Sequence, residues 1–180
     1  MEKIRMKKIS LAVLSLATVG VLTLGQSVQA EETTATVTVN SGGIKISDAT
    51  NINFNDVTVS KGGSTSTEKD KSSVSIEDLR GSSSKGWVLT AQLKDKNFDG
   101  MSLNVVPKVE DNTDVAEAGA KSTLNSQPQM IATVSDEKVA STEFDTNVSL
   151  NATLDVPEKQ LSNTYTTTIV WNLAEGPVTK

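Results

Sequence analysis

Trp87-Val88-Leu89-Thr90-Ala91-Gln92-Leu93-Lys94 is the stretch on which the fold turns. Trp87, Leu89, Ala91 and Leu93 share one side of an extended chain, while Thr90, Gln92 and Lys94 take the other. That period of two belongs to an antiparallel strand with one face buried and one wet. A second stretch, Tyr165-Thr166-Thr167-Thr168-Ile169-Val170-Trp171-Asn172-Leu173, repeats the pattern near the other end of the chain. One of its faces collects Tyr165, Thr167, Ile169, Trp171 and Leu173.

Shorter alternating pieces lie around these two: Thr36–Val39, Ile44–Ile46, Val57–Val59, Val74–Ile76, Met101–Val105 and the long run Val148–Leu154. Turn formers separate them, among them Ser41-Gly42-Gly43, Lys61-Gly62-Gly63-Ser64, Gly81–Gly86, Asp99-Gly100 and Val156-Pro157. Strand-sized segments at short spacing predict an all-β fold, a β-sandwich or Greek-key-like barrel of antiparallel strands with little helix. A short helix is a weak candidate over Asn112–Ala120, where Gly119 and a poor apolar face oppose it. Gly62–Ser73 has no apolar residue and reads as a mobile loop. No repeat of fixed period is present.

Composition excludes much chemistry. The 180 residues include no Cys and no His. Disulfides, thiol nucleophiles, cysteine zinc sites, histidine ligands and imidazole bases are therefore absent, and the common serine and cysteine hydrolase constellations lose their general base. The first residues read as a secretory leader: basic Met1–Lys8, apolar Ile9–Leu24, then Ser27-Val28-Gln29-Ala30 with small or short residues at −3 and −1. The apolar run is shorter than the roughly 20 residues of a spanning helix. Cleavage after Ala30 makes residues 1–30 a signal peptide and 31–180 a single domain, with residues 31–35 a loose tail. The leader holds four of the 17 basic and one of the 22 acidic residues, which leaves 13 against 21, a net charge of −8. Such a surface repels nucleic acid and anionic membranes. No second anchor, lipoprotein cysteine or covalent wall-sorting signal is legible, so retention at a cell surface is expected to be noncovalent.

Candidate chemistry is sparse. Asp95-Lys96-Asn97-Phe98-Asp99-Gly100 fits the start of a calcium loop, but position twelve, where a bidentate Glu belongs, is Val106. The same residues between two strand patterns read more simply as a hairpin turn. Carboxylates elsewhere (Glu77-Asp78, Glu110-Asp111, Asp136-Glu137, Glu143, Asp145) single out no pair spaced for glycoside hydrolysis. No catalytic residue, metal site or cofactor is expected. Each Trp has apolar neighbours two residues away, so both are read as core anchors before sugar-stacking platforms.

Two Trp-x-Leu triplets, Trp87-Val88-Leu89 and Trp171-Asn172-Leu173, sit in the contexts DLRGSSSKGWVLTAQL (Asp78–Leu93) and YTTTIVWNLAEGP (Tyr165–Pro177). With SGGIKISDATNINFNDVTVS (Ser41–Ser60), the chain resembles the WxL domain of Gram-positive bacterial surface proteins, across essentially all of residues 31–180. It departs from the family pattern at Asn163, where a Gly is usual, and at Glu175-Gly176-Pro177, where Asp-Ala-Pro is usual. The resemblance implies a non-enzymatic protein held noncovalently on the cell wall, with peptidoglycan as ligand. It also implies larger WxL proteins and a membrane-anchored WxL-interacting protein as partners in adhesion complexes. Trp87, Leu89, Trp171, Leu173 and Tyr165 are the motif residues, and Lys85, Lys94 and Lys96 the candidate wall contacts. Two alternatives stay open: an assembly subunit held at the surface only through its membrane-anchored partner, and a secreted glycan hydrolase using a carboxylate pair.

Overall fold

The computed structural model describes residues 33–81, 85–141 and 144–176. The expected leader, residues 1–30, lies outside the described residues. Residues 33–40 have no regular secondary structure and stand exposed, so Thr36–Val39 does not form the strand its alternation suggests. From residue 41 onward the described residues build twelve strands: β1 Ile44–Ala49, β2 Ser64–Thr67, β3 Ser73–Asp78, β4 Trp87–Leu93, β5 Ser102–Val105, β6 Lys108–Val109, β7 Ala116–Ala118, β8 Ser122–Leu124, β9 Gln129–Val134, β10 Asp145–Ser149, β11 Thr153–Val156 and β12 Ile169–Glu175. A single 3₁₀ turn spans Asp136–Ser141, and no α-helix occurs among the described residues.

The strands form three antiparallel four-strand sheets, ordered β1-β3-β10-β6, β2-β11-β5-β8 and β12-β4-β9-β7. The first two are halves of one bent ribbon. Three chain segments, β2 into β3, β5 into β6, and β10 into β11, run from one sheet to the other while keeping the same order. The bend is bonded across all three: Leu150 N–H donates to Ser72 C=O at 3.0 Å, and Val106 N–H to Leu150 C=O at 2.8 Å. Asn151 turns the corner with a φ of 45° and holds it by donating its side-chain amide to Val106 C=O at 3.1 Å. Asn is one of the few side chains that tolerates this left-handed backbone. The apolar row Val148, Leu150, Ala152, Leu154 therefore stays buried throughout, although its ladder partners change.

The third sheet closes over this ribbon, with β7 beside β6 and β8 beside β4 and β9. One core joins all three sheets, including Val74, Ile76, Trp87, Leu89, Leu103, Val105, Ile131, Val148 and Leu150. The architecture is all-β and sandwich-like, without barrel closure.

Four local expectations fail for identifiable reasons. Val57–Val59 finds no ladder and stays exposed. The segment expected to be a loop at Gly62–Ser73 contains β2, whose Ser and Thr side chains serve a strand paired to β11. Asn112–Ala120 is a turn followed by β7, not a helix. Gly119 N–H bonds to Ile131 C=O, and a Cβ on Gly119 would lie 2.0 Å from Met130 O, so the close approach requires glycine. Asp95–Gly100 is not a hairpin, because β4 already has β12 and β9 on its two sides. The chain leaves that sheet and enters β5 in another. Its tip is a tight turn with Met101 N–H bonded to Phe98 C=O at 2.8 Å.

Candidate functional site

The two Trp-x-Leu triplets lie on adjacent strands. In the β12–β4 ladder Leu173 faces Leu89, Trp171 faces Ala91 and Glu175 faces Trp87. Cross-strand partners project to the same side of a sheet. Trp87, Leu89, Ala91, Leu93, Ile169, Trp171 and Leu173 therefore line one inward face. The strands are antiparallel, so the two indoles stand four register positions apart, about 13 Å along the strand.

Their surroundings differ. Trp87 is 0 % exposed, on a strand with neighbours on both sides. Gly86 brings β4 against β9: a Cβ there would lie 2.1 Å from Val134 O. Gly86 N–H donates to Asp136 Oδ1 at 2.6 Å, and its carbonyl accepts from Gly176 N–H at 3.0 Å. Thr133 Oγ1 donates to Trp87 C=O at 2.9 Å. Trp87 Nε1 is buried without a hydrogen-bond partner among the described residues. Trp171, by contrast, is on an edge strand, and its inward row (Ile169, Trp171, Leu173) is only half-buried against the core. The expectation that both indoles are core anchors holds in full for Trp87 and in part for Trp171.

Tyr165 precedes the strand rather than belonging to it. The ladder stops because β4 ends at Leu93, opposite Ile169, and residues 94–97 bend away. Tyr165 is half-buried and its hydroxyl donates to Leu161 C=O at 2.7 Å. The three lysines do not form one patch. Lys85 sits at the Trp87 end of β4, whereas Lys94 and Lys96 follow its Leu93 end, about 30 Å away along an extended chain. All three are exposed, and none makes an ion pair among the described residues.

One cluster escaped the reading of the sequence. Arg80 grips Asp78 with two bonds, Nε to Oδ1 at 2.8 Å and Nη2 to Oδ2 at 2.7 Å, and its Nη1 lies 3.6 Å from Glu175 Oε1. The Arg80 and Asp78 side chains are 5 % and 7 % exposed. The two bonds fix the guanidinium at the end of β3, and it reaches the end of β12, beside the Trp87 register position, only through the 3.6 Å charge contact, since Nη1 has no hydrogen-bond partner among the described residues. Burial pushes the Asp78 carboxyl up, but hydrogen bonds from the Arg80 side chain and backbone and its positive charge prevail and leave it below the usual range. The Asp78 hydrogen bond holds the Arg80 guanidinium above its ordinary value against the opposing effect of burial. A signal was available: Arg80 is the only Arg in residues 31–180, against twelve Lys. Arginine in place of lysine points to a bidentate carboxylate partner.

Other carboxylates are engaged in structure. Glu77 pairs with Lys45 at 2.6 Å, and Glu110 pairs with Lys108 at 2.6 Å while accepting from Ser149. Glu143 lies outside the described residues. Among the described residues, no three carboxylates come together as a metal-sized group.

A family model for the WxL domain, described as surface cell wall-binding, matches residues 25–177, more than four-fifths of the chain. The chain belongs to the WxL family. Neither the curated proteins nor the solved structures give a match. The WxL assignment makes this a noncovalent cell-wall-binding domain of the Gram-positive surface, in a binding family rather than a catalytic one.

Proposed function

We propose that this WxL domain binds peptidoglycan through the open flank of β12, with the partly buried indole of Trp171 as its main contact. Aromatic side chains that keep one face wet are the usual platforms for sugar rings, and the neighbouring Ile169, Leu173 and Tyr165 extend the apolar row. Lys94 and Lys96 lie at the Ile169 end of that row, suited to the carboxylates of wall peptides. Lys85 lies at the other end and makes a second, separate contact. Trp87 and Leu89 act beneath this surface by fixing the sheet. The observation that carries the reading is the contrast between the two triplets: one indole fully buried, the other only partly buried on the edge strand of its sheet.

We further propose that residues 1–30 are removed on export. The bound domain then works with larger WxL proteins and a membrane-anchored WxL-interacting protein in adhesion complexes. The test is sedimentation of the exported chain with bare peptidoglycan. Trp171→Ala should remain folded and lose pelleting, and Lys94→Ala/Lys96→Ala should weaken it. Full pelleting of folded Trp171→Ala overturns the assignment of the site. If the wild-type chain stays in the supernatant with bare peptidoglycan but pellets with whole envelopes, the surface-subunit reading replaces it.

A further inference from the structure

We propose that an open cavity at the outer face of the β2-β11-β5-β8 sheet binds a neutral hexose by a pair of its adjacent hydroxyls. Ladder register builds the floor of this cavity. Asp155 on β11 stands opposite Thr65 on β2 and opposite Ser102 on β5. Two residues back, Thr153 stands opposite Thr67 and Asn104, and Asn104 in turn opposite Thr123. Leu154 and Leu103, which separate the two rows on β11 and β5, are buried. Alternation therefore turns both rows outward. They carry short polar side chains, with Asp155 the one charged group among them.

A chain of hydrogen bonds holds these groups in place. Thr65 Oγ1 donates to Asp155 Oδ1 at 2.8 Å, Asn104 Nδ2 to Asp155 Oδ2 at 2.9 Å, and Thr123 Oγ1 to Asn104 Oδ1 at 2.6 Å. Each oxygen of the Asp155 carboxylate thus holds one donor and keeps a spare lone pair. The neighbouring Ser102 hydroxyl makes no hydrogen bond among the described residues. Thr65, Ser102 and Asp155 line a cavity of about 430 Å³, walled by Gly62-Gly63, Gly100 and Val156-Pro157-Glu158. Backbone packing sets one wall: a Cβ on Gly63 would lie 2.8 Å from Val156 O, and Gly63 holds a φ of 74°. Pro157 is exposed there and offers an apolar ring.

These groups match the chemistry of a sugar. A carboxylate with two spare acceptor sites side by side suits two hydroxyls on neighbouring carbons, and such charge-assisted bonds are the strong ones. The Ser102 hydroxyl serves a third polar group, and the Pro157 ring meets the C–H face of a pyranose. No aromatic side chain lines the cavity to receive the anchor of a protein partner. No Lys or Arg lines it either, and Glu158 adds a second negative charge, so phosphates and acidic sugars are repelled. The inner rings of a wall glycan strand carry acetamido and ether groups beside their linkages and present no pair of adjacent free hydroxyls. The ligand is therefore a plain hexose rather than the wall strand. The cavity also belongs to a different sheet from β12, so it stands apart from the wall contact proposed above.

An NMR titration of the exported chain tests this without wall material, using methyl α-D-glucopyranoside, methyl β-D-galactopyranoside and methyl α-D-mannopyranoside. The amides of Thr65, Ser102, Asn104 and Asp155 should shift with at least one of the three, saturating in the millimolar range of a site without an aromatic platform. Methyl α-D-glucuronide should leave them unmoved. Asp155→Ala and Ser102→Val alter exposed, outward positions. Both should keep the amide fingerprint of the folded domain and raise the dissociation constant about tenfold or more. Three hexosides that leave the cavity amides unmoved overturn the proposal, and so do shifts confined to another surface. Glucuronide binding as tight as that of the hexosides overturns it too, as does a folded Asp155→Ala or Ser102→Val that binds like the wild type.

Discussion

At the scale of single residues, the two tryptophans predict opposite phenotypes. Trp87 is wholly enclosed, so Trp87→Ala should cost about 3–5 kcal/mol and threaten the cooperative melt. Its indole N–H has no partner among the described residues, and an unmet buried donor is itself destabilising. Trp87→Phe removes that donor with less loss of volume and should cost markedly less than Trp87→Ala. Trp171→Ala, on the half-buried row, should cost about 1–2 kcal/mol. Thermal or urea unfolding of the three variants checks the order. An equal loss for both alanine variants would mean that the edge strand is as enclosed as its neighbour. Arg80 is the other decisive residue. Arg80→Lys keeps the charge but cannot reproduce the two parallel hydrogen bonds to Asp78, and a broken buried pair costs about 3 kcal/mol. A melt unchanged by Arg80→Lys would show that the paired bonds to Asp78 do not stabilise the end of β3.

The corner between β10 and β11 decides stability at the scale of elements. Asn151 holds a left-handed backbone there and caps Val106 C=O, two tasks that few residues combine. Asn151→Gly should keep the turn and lose one bond, while Asn151→Val should cost about 2 kcal/mol more through strain. Denaturant midpoints of the two variants test this, and a valine variant as stable as the glycine one would refute it. The same corner explains how far sequence could be read. Burial period is written in side chains, so Val148–Leu154 was legible as one inward row, and it is one. Hydrogen-bond partnership is written in backbone geometry, so the switch from one sheet to another at Leu150 left no periodic mark. Asp95–Gly100 misled for a related reason: Asp-Gly marks a turn, but only the occupancy of both sides of β4 decides where the turn leads. At the site, Trp87 and Leu89 were legible from their neighbours. The incomplete burial of Trp171 was not, because alternation does not reveal which strand ends a sheet.

For the whole molecule, charge governs both acid stability and the choice of wall polymer. Asp78 titrates below its ordinary range in the folded protein despite its burial, because Arg80 bonds it. Glu110 is also lowered, first by Lys108 and then by Ser149, on an exposed face. A carboxyl whose folded value is depressed stabilises the protein above the unfolded value, and that contribution disappears as pH falls through the folded one. The melting temperature should therefore be steady from neutral pH down to about 5 and fall below about 4. Asp78→Asn should flatten that acid limb. Across the steady range, a net charge of −8 on residues 31–180 faces a wall that also carries polyanionic teichoic acids. Like charges repel over a screening length of about 8 Å at physiological salt, so these polymers hinder approach more than they assist it. Sacculi stripped of teichoic acid should then bind the WxL domain as well as intact sacculi or better, and added salt should raise binding to intact sacculi. Binding abolished by stripping would instead identify the polyanion as the ligand and require the separated lysines at the two ends of β4 to act together across the edge strand.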